Sequence, residues 1–189
     1  MSGRAITSPA VAGPLSALAL TLLATACGDP TAQVVRPDDG PVSFELPVEY
    51  ADIGVDAGEE VGVFWGRPDT GLESYSSDPV VLVDTIPGGE TASFSTLREL
   101  ATFGEFDPLD PEADLPEDAG VLNYIEIIEP EIWGVRLQLA DGEGVFDFQA
   151  LVERGTGEVV VSRVVCTEAC FVEHTVEIDE IQTSWTLEP

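Results

Sequence analysis

The sequence offers few side chains for nucleophilic or acid–base chemistry. It contains a single histidine, His174, and three cysteines. If residues 159–166 and 170–178 form paired strands, His174 lies opposite Ser162, which suggests a nucleophile and a base. Both side chains would then lie among core valines, where a hydroxyl is a suitable partner for a buried ring nitrogen. Neither a nucleophile elbow nor an oxyanion-hole motif accompanies the pair, so we expect a structural histidine and no catalysis.

The second candidate site is an acidic segment over residues 105–118, which carries three prolines and no basic residue. Clustered carboxylates suit calcium, a hard cation that binds six to eight oxygens. The residues that could bind it are Asp107, Asp110, Glu112 and Asp114. Three of them match positions of an EF-hand loop, but Leu115 replaces its glycine and Val121 its bidentate glutamate. We therefore expect a solvated acidic loop and no cofactor, with calcium as the open alternative.

Composition excludes several classes of function. The chain has 36 acidic residues against seven basic ones, a formal charge of −29, and no lysine. Nucleic acid is not an expected partner, because phosphate binding needs a basic surface. The absence of lysine excludes a lysine Schiff base and a P-loop. The charge is typical of a soluble, exposed surface.

Two of the three cysteines, Cys166 and Cys170, are close enough in sequence to pair. Their spacing is C-x-x-x-C, whereas the thioredoxin-type redox motif is C-x-x-C. The sequence therefore favours a structural disulfide, here between facing strand positions. A reduced pair and a redox-active dithiol are the alternatives. One histidine and a cysteine pair also leave too few nitrogen and sulfur ligands for a usual zinc site.

The first 26 residues are organised as an export signal. Arg4 supplies one positive charge, an apolar stretch follows, and the small residues Ala24 and Ala26 precede Cys27. This order resembles the lipobox of bacterial lipoproteins, whose cysteine is acylated and becomes the first mature residue. Ala24 stands where that family usually has leucine. The resemblance implies a lipid on Cys27 and a domain held outside the cytoplasm, anchored to the membrane of the cell envelope.

Two other interpretations of this N-terminus remain open. Ala24 and Ala26 also fit the A-x-A site of ordinary signal peptidase, which would release a protein with a free thiol at Cys27. Such an odd thiol is unfavourable in an oxidising compartment, and lipidation removes it. An uncleaved anchor is the third interpretation, but the apolar run is short for a bilayer and contains Pro14.

The elements that must position these side chains follow from apolar periodicity. Strict alternation over residues 42–50 predicts a half-buried strand, and Pro47 favours a sheet edge. Further strands are predicted at residues 61–65, 80–86, 91–94 and 121–128. Thr96, followed three residues later by Glu99, predicts a capping box that opens a short helix.

The C-terminal third predicts a meander. Its strands are expected near residues 132–140, 145–153, 159–166 and 170–178, with a final strand near 181–187. Pairing Leu137 with Phe148 places every apolar partner of the first hairpin on one face. The same reasoning pairs Phe148 with Val164, and Cys166 with Cys170, across the next two turns. A slip of one residue would scatter these apolar sets over both faces.

The three tryptophans are in phase with the apolar residues of their strands. Trp65, Trp133 and Trp185 each belong to an inward stripe, which predicts core packing. A sugar-stacking platform, as in carbohydrate-binding modules, is the alternative function for at least one of them.

Together these patterns predict a mainly β protein, an antiparallel β-sandwich with a C-terminal meander and one short helix. Residues 1–26 are the signal peptide, 27–41 the lipid attachment site and a flexible tether, and 42–189 a single domain. We expect a non-catalytic binding or structural role at the cell envelope, with a protein or glycan partner that the sequence does not name. A carboxylate-dependent glycoside hydrolase or a carbohydrate-binding module is the alternative.

Overall fold

A computed structural model of the chain describes residues 32–36, 41–53, 63–70, 75–113 and 119–187. The predicted signal peptide and Cys27 lie outside the described residues, as does Asp114.

Ten strands form two antiparallel sheets within these ranges. They are β1 (Ala32–Val35), β2 (Val42–Pro47), β3 (Ala51–Asp52), β4 (Val63–Gly66), β5 (Val80–Ile86), β6 (Gly120–Ile128), β7 (Ile132–Ala140), β8 (Gly144–Glu153), β9 (Val159–Thr167) and β10 (Thr186–Leu187). The small sheet has the order β1-β2-β10, and the large sheet has the order β3-β4-β5-β9-β8-β7-β6. The predicted fold class, mainly β with antiparallel sheets and a strand meander, is confirmed.

Three short α-helices accompany the sheets: α1 (Phe94–Glu99), α2 (Glu168–Glu173) and α3 (Thr175–Thr183). Single 3₁₀ turns lie at Gly89–Thr91 and Leu100–Thr102. Over the described ranges, no helix combines the length and the apolar character needed to span a membrane.

The large sheet is buried on both faces. On what we call its inner face, Leu151 packs in one core cluster with Phe44 of the small sheet and Ile178 of α3. On the opposite, outer face, Phe148 packs in a second cluster with Leu97 of α1. Leu151 and Phe148 are both completely buried. A layer on each side is therefore needed to remove the apolar side chains of the large sheet from water.

Helix α1 begins earlier than the sequence predicts. Its N-cap is Ser93, whose side-chain oxygen accepts the Thr96 backbone N–H at 3.2 Å. The predicted capping box of Thr96 and Glu99 is wrong, because both residues already lie inside the helix. The predicted strand at 91–94 is also wrong, since a 3₁₀ turn and this cap occupy it.

The predicted registers of the meander are correct in the first hairpin and displaced by one residue in the second. Leu137 lies opposite Phe148, as predicted. Phe148 lies opposite Arg163, however, and not opposite Val164. The prediction assumed one buried face. Because both faces are buried, the valines of Val159–Val161 lie in an apolar environment in either register. The alternation of apolar and polar residues therefore does not select one register over the other.

The predicted strand at 170–178 is wrong, because α2 and α3 occupy that segment. Thr167 caps α2 by accepting the Cys170 backbone N–H on its side-chain oxygen at 3.3 Å. The predicted final strand near 181–187 is reduced to the two residues of β10.

Burial along these helices follows a helical spacing. Val172 and Val176, which the strand prediction placed in the core, are 73% and 71% exposed. Ile178 and Ile181, three residues apart, are almost completely buried instead. Residues three apart share one face of a helix, so the isoleucines and not the valines contact the sheet.

Strand β1 lies within the segment predicted to be a flexible tether. Ala32 pairs with Pro47 and Val35 pairs with Phe44. Val35 is buried and joins the inner core cluster. The folded domain therefore includes Ala32–Val35, which the sequence analysis assigned to the tether. Strand β2 is the central strand of the small sheet, so Pro47 marks its last residue and not an edge strand.

We expect Gly134→Ala to lower the free energy of unfolding by about 1–3 kcal/mol. A Cβ at Gly134 would overlap the Ala150 carbonyl oxygen and lie 3.0 Å from the Leu151 Cα, and neither backbone atom can move without disturbing the β7–β8 pairing. Urea-induced unfolding measures the change. Gly120→Ala is the matched control, because its Cβ would meet no atom within 4 Å. Equal losses in the two variants would contradict a steric origin of the effect.

Candidate functional site

His174 and Ser162 do not meet. His174 lies half-buried at the junction of α2 and α3, with its Nδ1 3.3 Å from Glu177 Oε2. Ser162 is completely buried and donates its hydroxyl proton to Gln182 Oε1 at 2.5 Å. The predicted pair of His174 with Ser162 is wrong because residues 170–178 are helical. No nucleophile and base pair arises from these two residues.

The inner face of the large sheet holds a buried polar network. Arg136 donates two hydrogen bonds to Asp147, at 3.0 and 2.9 Å. It donates a third to Asp179 of α3, at 2.6 Å. Gln182 donates from its Nε2 to the Asp147 carbonyl oxygen at 2.9 Å. The network fixes α3 on β7 and β8, and its members satisfy one another, which indicates a structural role.

A second ionised cluster surrounds Glu177. The Tyr50 hydroxyl donates to Glu177 at 2.6 Å and the Arg67 guanidinium at 3.1 Å. Arg67 also pairs with Asp78 at 3.1 Å. Burial acts to raise the pKa of Glu177, but the donors Tyr50, Arg67 and His174 outweigh it, so the pKa lies below its ordinary value. Burial and the bond to Glu177 raise the pKa of Tyr50, which stays protonated.

Two of the four carboxylates proposed for calcium, those of Asp107 and Asp110, make contacts within the protein. Asp107 accepts two hydrogen bonds from Arg98, at 2.7 and 2.5 Å, and these lower the pKa of its carboxyl. Asp110 accepts the backbone N–H of Glu112 at 2.9 Å. Among the described residues, no three histidine, cysteine, aspartate or glutamate side chains are grouped to hold a metal ion. Asp114 is not described, and calcium binding here stays a hypothesis.

The structure joins Cys166 and Cys170 in a disulfide, with their Cα atoms 5.9 Å apart. The bond links β9 to the first turn of α2, whereas the sequence predicted a bond between two strands. Both cysteines are buried in the inner core cluster. Their burial suits the predicted structural role, because a redox-active pair must be accessible.

The tryptophans pack as predicted. Trp65 and Trp185 contact the inner core cluster, and Trp133 contacts the outer one. Trp133 also meets Phe94 edge-to-face, with ring centroids 5.2 Å apart. All three are half-buried.

Among the described residues, the surface feature best suited to a ligand is an aromatic cleft of about 400 Å³ beside the outer face of the large sheet. Its principal lining residues are Tyr75, Phe103, Phe106, Leu139 and Phe146. Glu105 and Asp141 add carboxylates. A concave, mostly apolar surface with a few polar groups is the usual form of a small-ligand site.

Phe103 lines this cleft with an exposed side chain and an uncommon backbone conformation. It directly follows the 3₁₀ turn after α1 and has a φ of 57°, in the left-handed region that a bulky side chain seldom adopts. Its ring is 76% exposed. Strained backbone of this kind persists where the surrounding structure maintains it, and it concentrates at functional sites.

The Arg163 guanidinium packs against the exposed ring of Phe103. The guanidinium carbon lies 4.7 Å from the Phe103 ring centroid and 5.6 Å from that of Phe148. Arg163 also donates to the Leu100 carbonyl oxygen at 3.0 Å. Burial lowers the pKa of this guanidinium, in spite of the opposite influence of Asp84. The cation between two rings thus holds one face of Phe103 and leaves the other to a ligand.

The polar groups of the cleft differ in their availability. Asp141 accepts a hydrogen bond from the Tyr75 hydroxyl and the backbone N–H groups of Glu143 and Gly144, at 3.0 and 3.1 Å for the last two. It therefore stabilises the β7–β8 turn. Glu105 is exposed. The cleft can bind and orient a ligand, and its described residues supply no nucleophile paired with a base.

Sequence reasoning did not find this cleft. Tyr75, Phe103 and Arg163 were not among the site residues that the sequence predicted. The Phe-Gly pair that ends the helix is the one local signal, because glycine often follows a helical C-terminus in a left-handed conformation. Here Gly104 also has a positive φ, of 82°.

No known family model matches the chain, and no curated protein matches it. Among solved structures, that of cyanobacterial PsbP (CyanoP) from Synechocystis sp. PCC 6803 aligns with a TM-score of 0.51 and 14% identity, over 86% of this chain and 96% of CyanoP. The chain is similar in fold to CyanoP. At this identity the likeness concerns the fold alone.

Two further structures align less well. PA94 of Pseudomonas aeruginosa, a protein of unknown function, has a TM-score of 0.46 and 13% identity, over 85% of this chain and 99% of its own. LpqN, involved in cell envelope biogenesis of Mycobacterium tuberculosis, has a TM-score of 0.47 and 10% identity, over 84% of this chain and 92% of its own.

We expect Glu177→Gln to destabilise the domain at neutral pH by about 1–2 kcal/mol, because the charged partner of Arg67 is lost. The folded pKa of Glu177 lies below its ordinary value of 4.5, so its contribution is complete well above that pH. The contribution disappears as the pH falls through the folded pKa. Urea unfolding of both proteins over this range should therefore show a difference that shrinks on acidification. A difference that stays constant would contradict the assignment.

Proposed function

We propose that this protein is a non-catalytic binding protein, held at the cell envelope by a lipid on Cys27, with the aromatic cleft as its ligand site. The observation that carries the binding role is Phe103, an aromatic ring in a left-handed backbone conformation, braced by Arg163 and open to solvent on its other side. Strained backbone concentrates at functional sites, and the contact with Arg163 on one face of the ring leaves the other face open to a ligand.

The chemistry of the cleft favours an uncharged ligand with an apolar or planar face. Aromatic and aliphatic side chains make up most of its lining, and the exposed Glu105 adds a hydrogen-bond acceptor. The same carboxylate, and a chain charge of −29, disfavour an anion. A sugar ring satisfies these conditions as well as a wholly apolar molecule does, because its C–H face stacks on aromatics and its hydroxyls donate to carboxylates.

The envelope location is supported by the sequence before Cys27. A charged start, an apolar stretch and small residues precede this cysteine in the order that export and lipidation require. With Cys166 and Cys170 paired, lipidation of Cys27 leaves no free thiol in the chain.

A carboxylate-dependent glycoside hydrolase is the second candidate, because Glu105 and Asp141 line the same cleft. Against it, the oxygens of Asp141 already accept three hydrogen bonds from the protein. If the hydrolase assignment is correct, Glu105→Gln abolishes glycoside hydrolysis but keeps sugar binding. If the binding assignment is correct, the wild-type chain hydrolyses nothing.

We expect Phe103→Ala to weaken binding of a neutral apolar fluorescent probe, N-phenyl-1-naphthylamine, by about three- to tenfold, because one stacking contact is lost. Fluorescence titration measures the affinity. Val172→Ala removes another exposed apolar side chain, one on α2, and should leave the affinity unchanged. Equal affinities for Phe103→Ala and wild type would refute the assignment of the cleft.

We expect Cys27→Ala to move the protein from the membrane fraction to the soluble fraction of a bacterial host. Lipidation requires the cysteine thiol, so the variant has no attachment site. The intact mass of the wild-type product should begin at Cys27 and include acyl chains. An unmodified wild-type mass in the soluble fraction would refute the lipid anchor at Cys27. The ligand-binding role of the cleft would then be tested by the probe titration alone.

A further inference from the structure

Strand β6 is the outermost strand of the large sheet on the side of β7. Within the described ranges no strand pairs with its other edge. It is nine residues long, and a bulge between Val121 and Asn123 interrupts only its beginning. Residues 123–128 thus form an uninterrupted edge. Such edges present unpaired backbone groups, and proteins usually blunt them with lysine, proline or bulges.

The hairpin register shows which backbone groups face this open edge. The Glu129 N–H donates to the Ile132 carbonyl oxygen at 2.8 Å, so these residues form a hydrogen-bonded pair. Antiparallel pairs alternate between bonded and non-bonded positions. The backbone groups of Tyr124, Glu126 and Ile128 therefore point away from β7.

The side chains of β6 would extend an apolar surface onto an added strand. Leu122 is 57%, Ile125 45% and Ile128 66% exposed. Ile125 lies opposite Arg136, on the inner face, whereas Ile128 lies opposite Trp133, on the outer face. Apolar contacts are thus available on both sides of the sheet, as an additional strand in this position would require.

The negative charge at this edge distinguishes between two possible partners, a second copy of this chain and a basic segment of another protein. Glu126 is the only charged residue of β6, and the whole chain carries a formal charge of −29. Glu126 lies in the middle of the edge and is exposed, with the Tyr124 hydroxyl donating to it at 3.0 Å. A second copy of this chain would bring a second Glu126 and the same net negative charge, and like charges on paired strands repel. A basic strand would be attracted instead.

We propose that β6 is a docking edge for an extended, basic and apolar segment of another protein, which adds an eighth strand to the large sheet. The backbone groups of Tyr124, Glu126 and Ile128 bind the segment in a manner independent of its side chains. Its basic residues face Glu126 on the outer face, and its apolar residues cover Ile125 on the inner face.

The test uses the full-length chain and a capped eight-residue peptide of alternating valine and arginine. We expect binding by fluorescence anisotropy, and slower amide exchange at Tyr124, Glu126 and Ile128 in the complex. A peptide of alternating proline and arginine has the same charge but cannot form a strand, and it should not bind. Equal binding of both peptides, or protection of other amides only, would overturn the proposal.

Glu126→Lys should weaken the valine–arginine peptide about tenfold, since one attraction becomes a repulsion beside the docked strand. Glu173→Lys makes the same change in charge on exposed α2 and should weaken it less than about threefold. Equal effects would indicate attraction by the net charge alone, without a docking edge.

Two further readouts separate strand addition at β6 from self-association and from binding in the aromatic cleft. Sedimentation of the chain without peptide should show a monomer. A dimer with protected β6 amides would assign the edge to a second copy and overturn the proposal. Phe103→Ala should leave peptide affinity unchanged, so failure of the cleft assignment and failure of the edge assignment are distinguishable.

Discussion

Burial of the large sheet on both faces is the constraint on which the rest of the structure depends. Strands β8 and β9 lie in the middle of the sheet and carry apolar side chains on either side. One layer cannot cover both. The small sheet and α3 therefore close the inner face, while α1 and the turn after it close the outer face. The aromatic cleft forms where that second, shorter layer ends.

The same constraint determines how much of the fold could be predicted. The register of β7 with β8 was predictable because Leu137 and Phe148 lie in strands that alternate clearly. The next register was not, since the valines of β9 are apolar on both sides. The helices after Thr167 were missed because Val172 and Val176 alternate like a strand, although the buried residues Ile178 and Ile181 follow a helical spacing.

The candidate site was less accessible to prediction than the fold. The spacing of Cys166 and Cys170 was enough to suggest their disulfide, because pairing over four residues is a local property. The aromatic cleft is not local. Tyr75, Phe103 and Phe146 come from separate segments and meet only after the outer layer has packed. The Phe103 ring also contacts Arg163, sixty residues further along the chain, and no pattern around Phe103 indicates that partner.

If Cys27 carries a lipid, the early start of β1 limits where the protein can act. Ala32 is already paired with Pro47, so only four residues separate the folded domain from Cys27. Fully extended, the five Cα–Cα steps from Cys27 to Ala32 span at most about 18 Å. With a lipid on Cys27, the domain would move as a particle confined to the plane of the bilayer and would not reach material far above it. Its ligands and partners would have to arrive at the membrane surface, where confinement to two dimensions raises their encounter frequency.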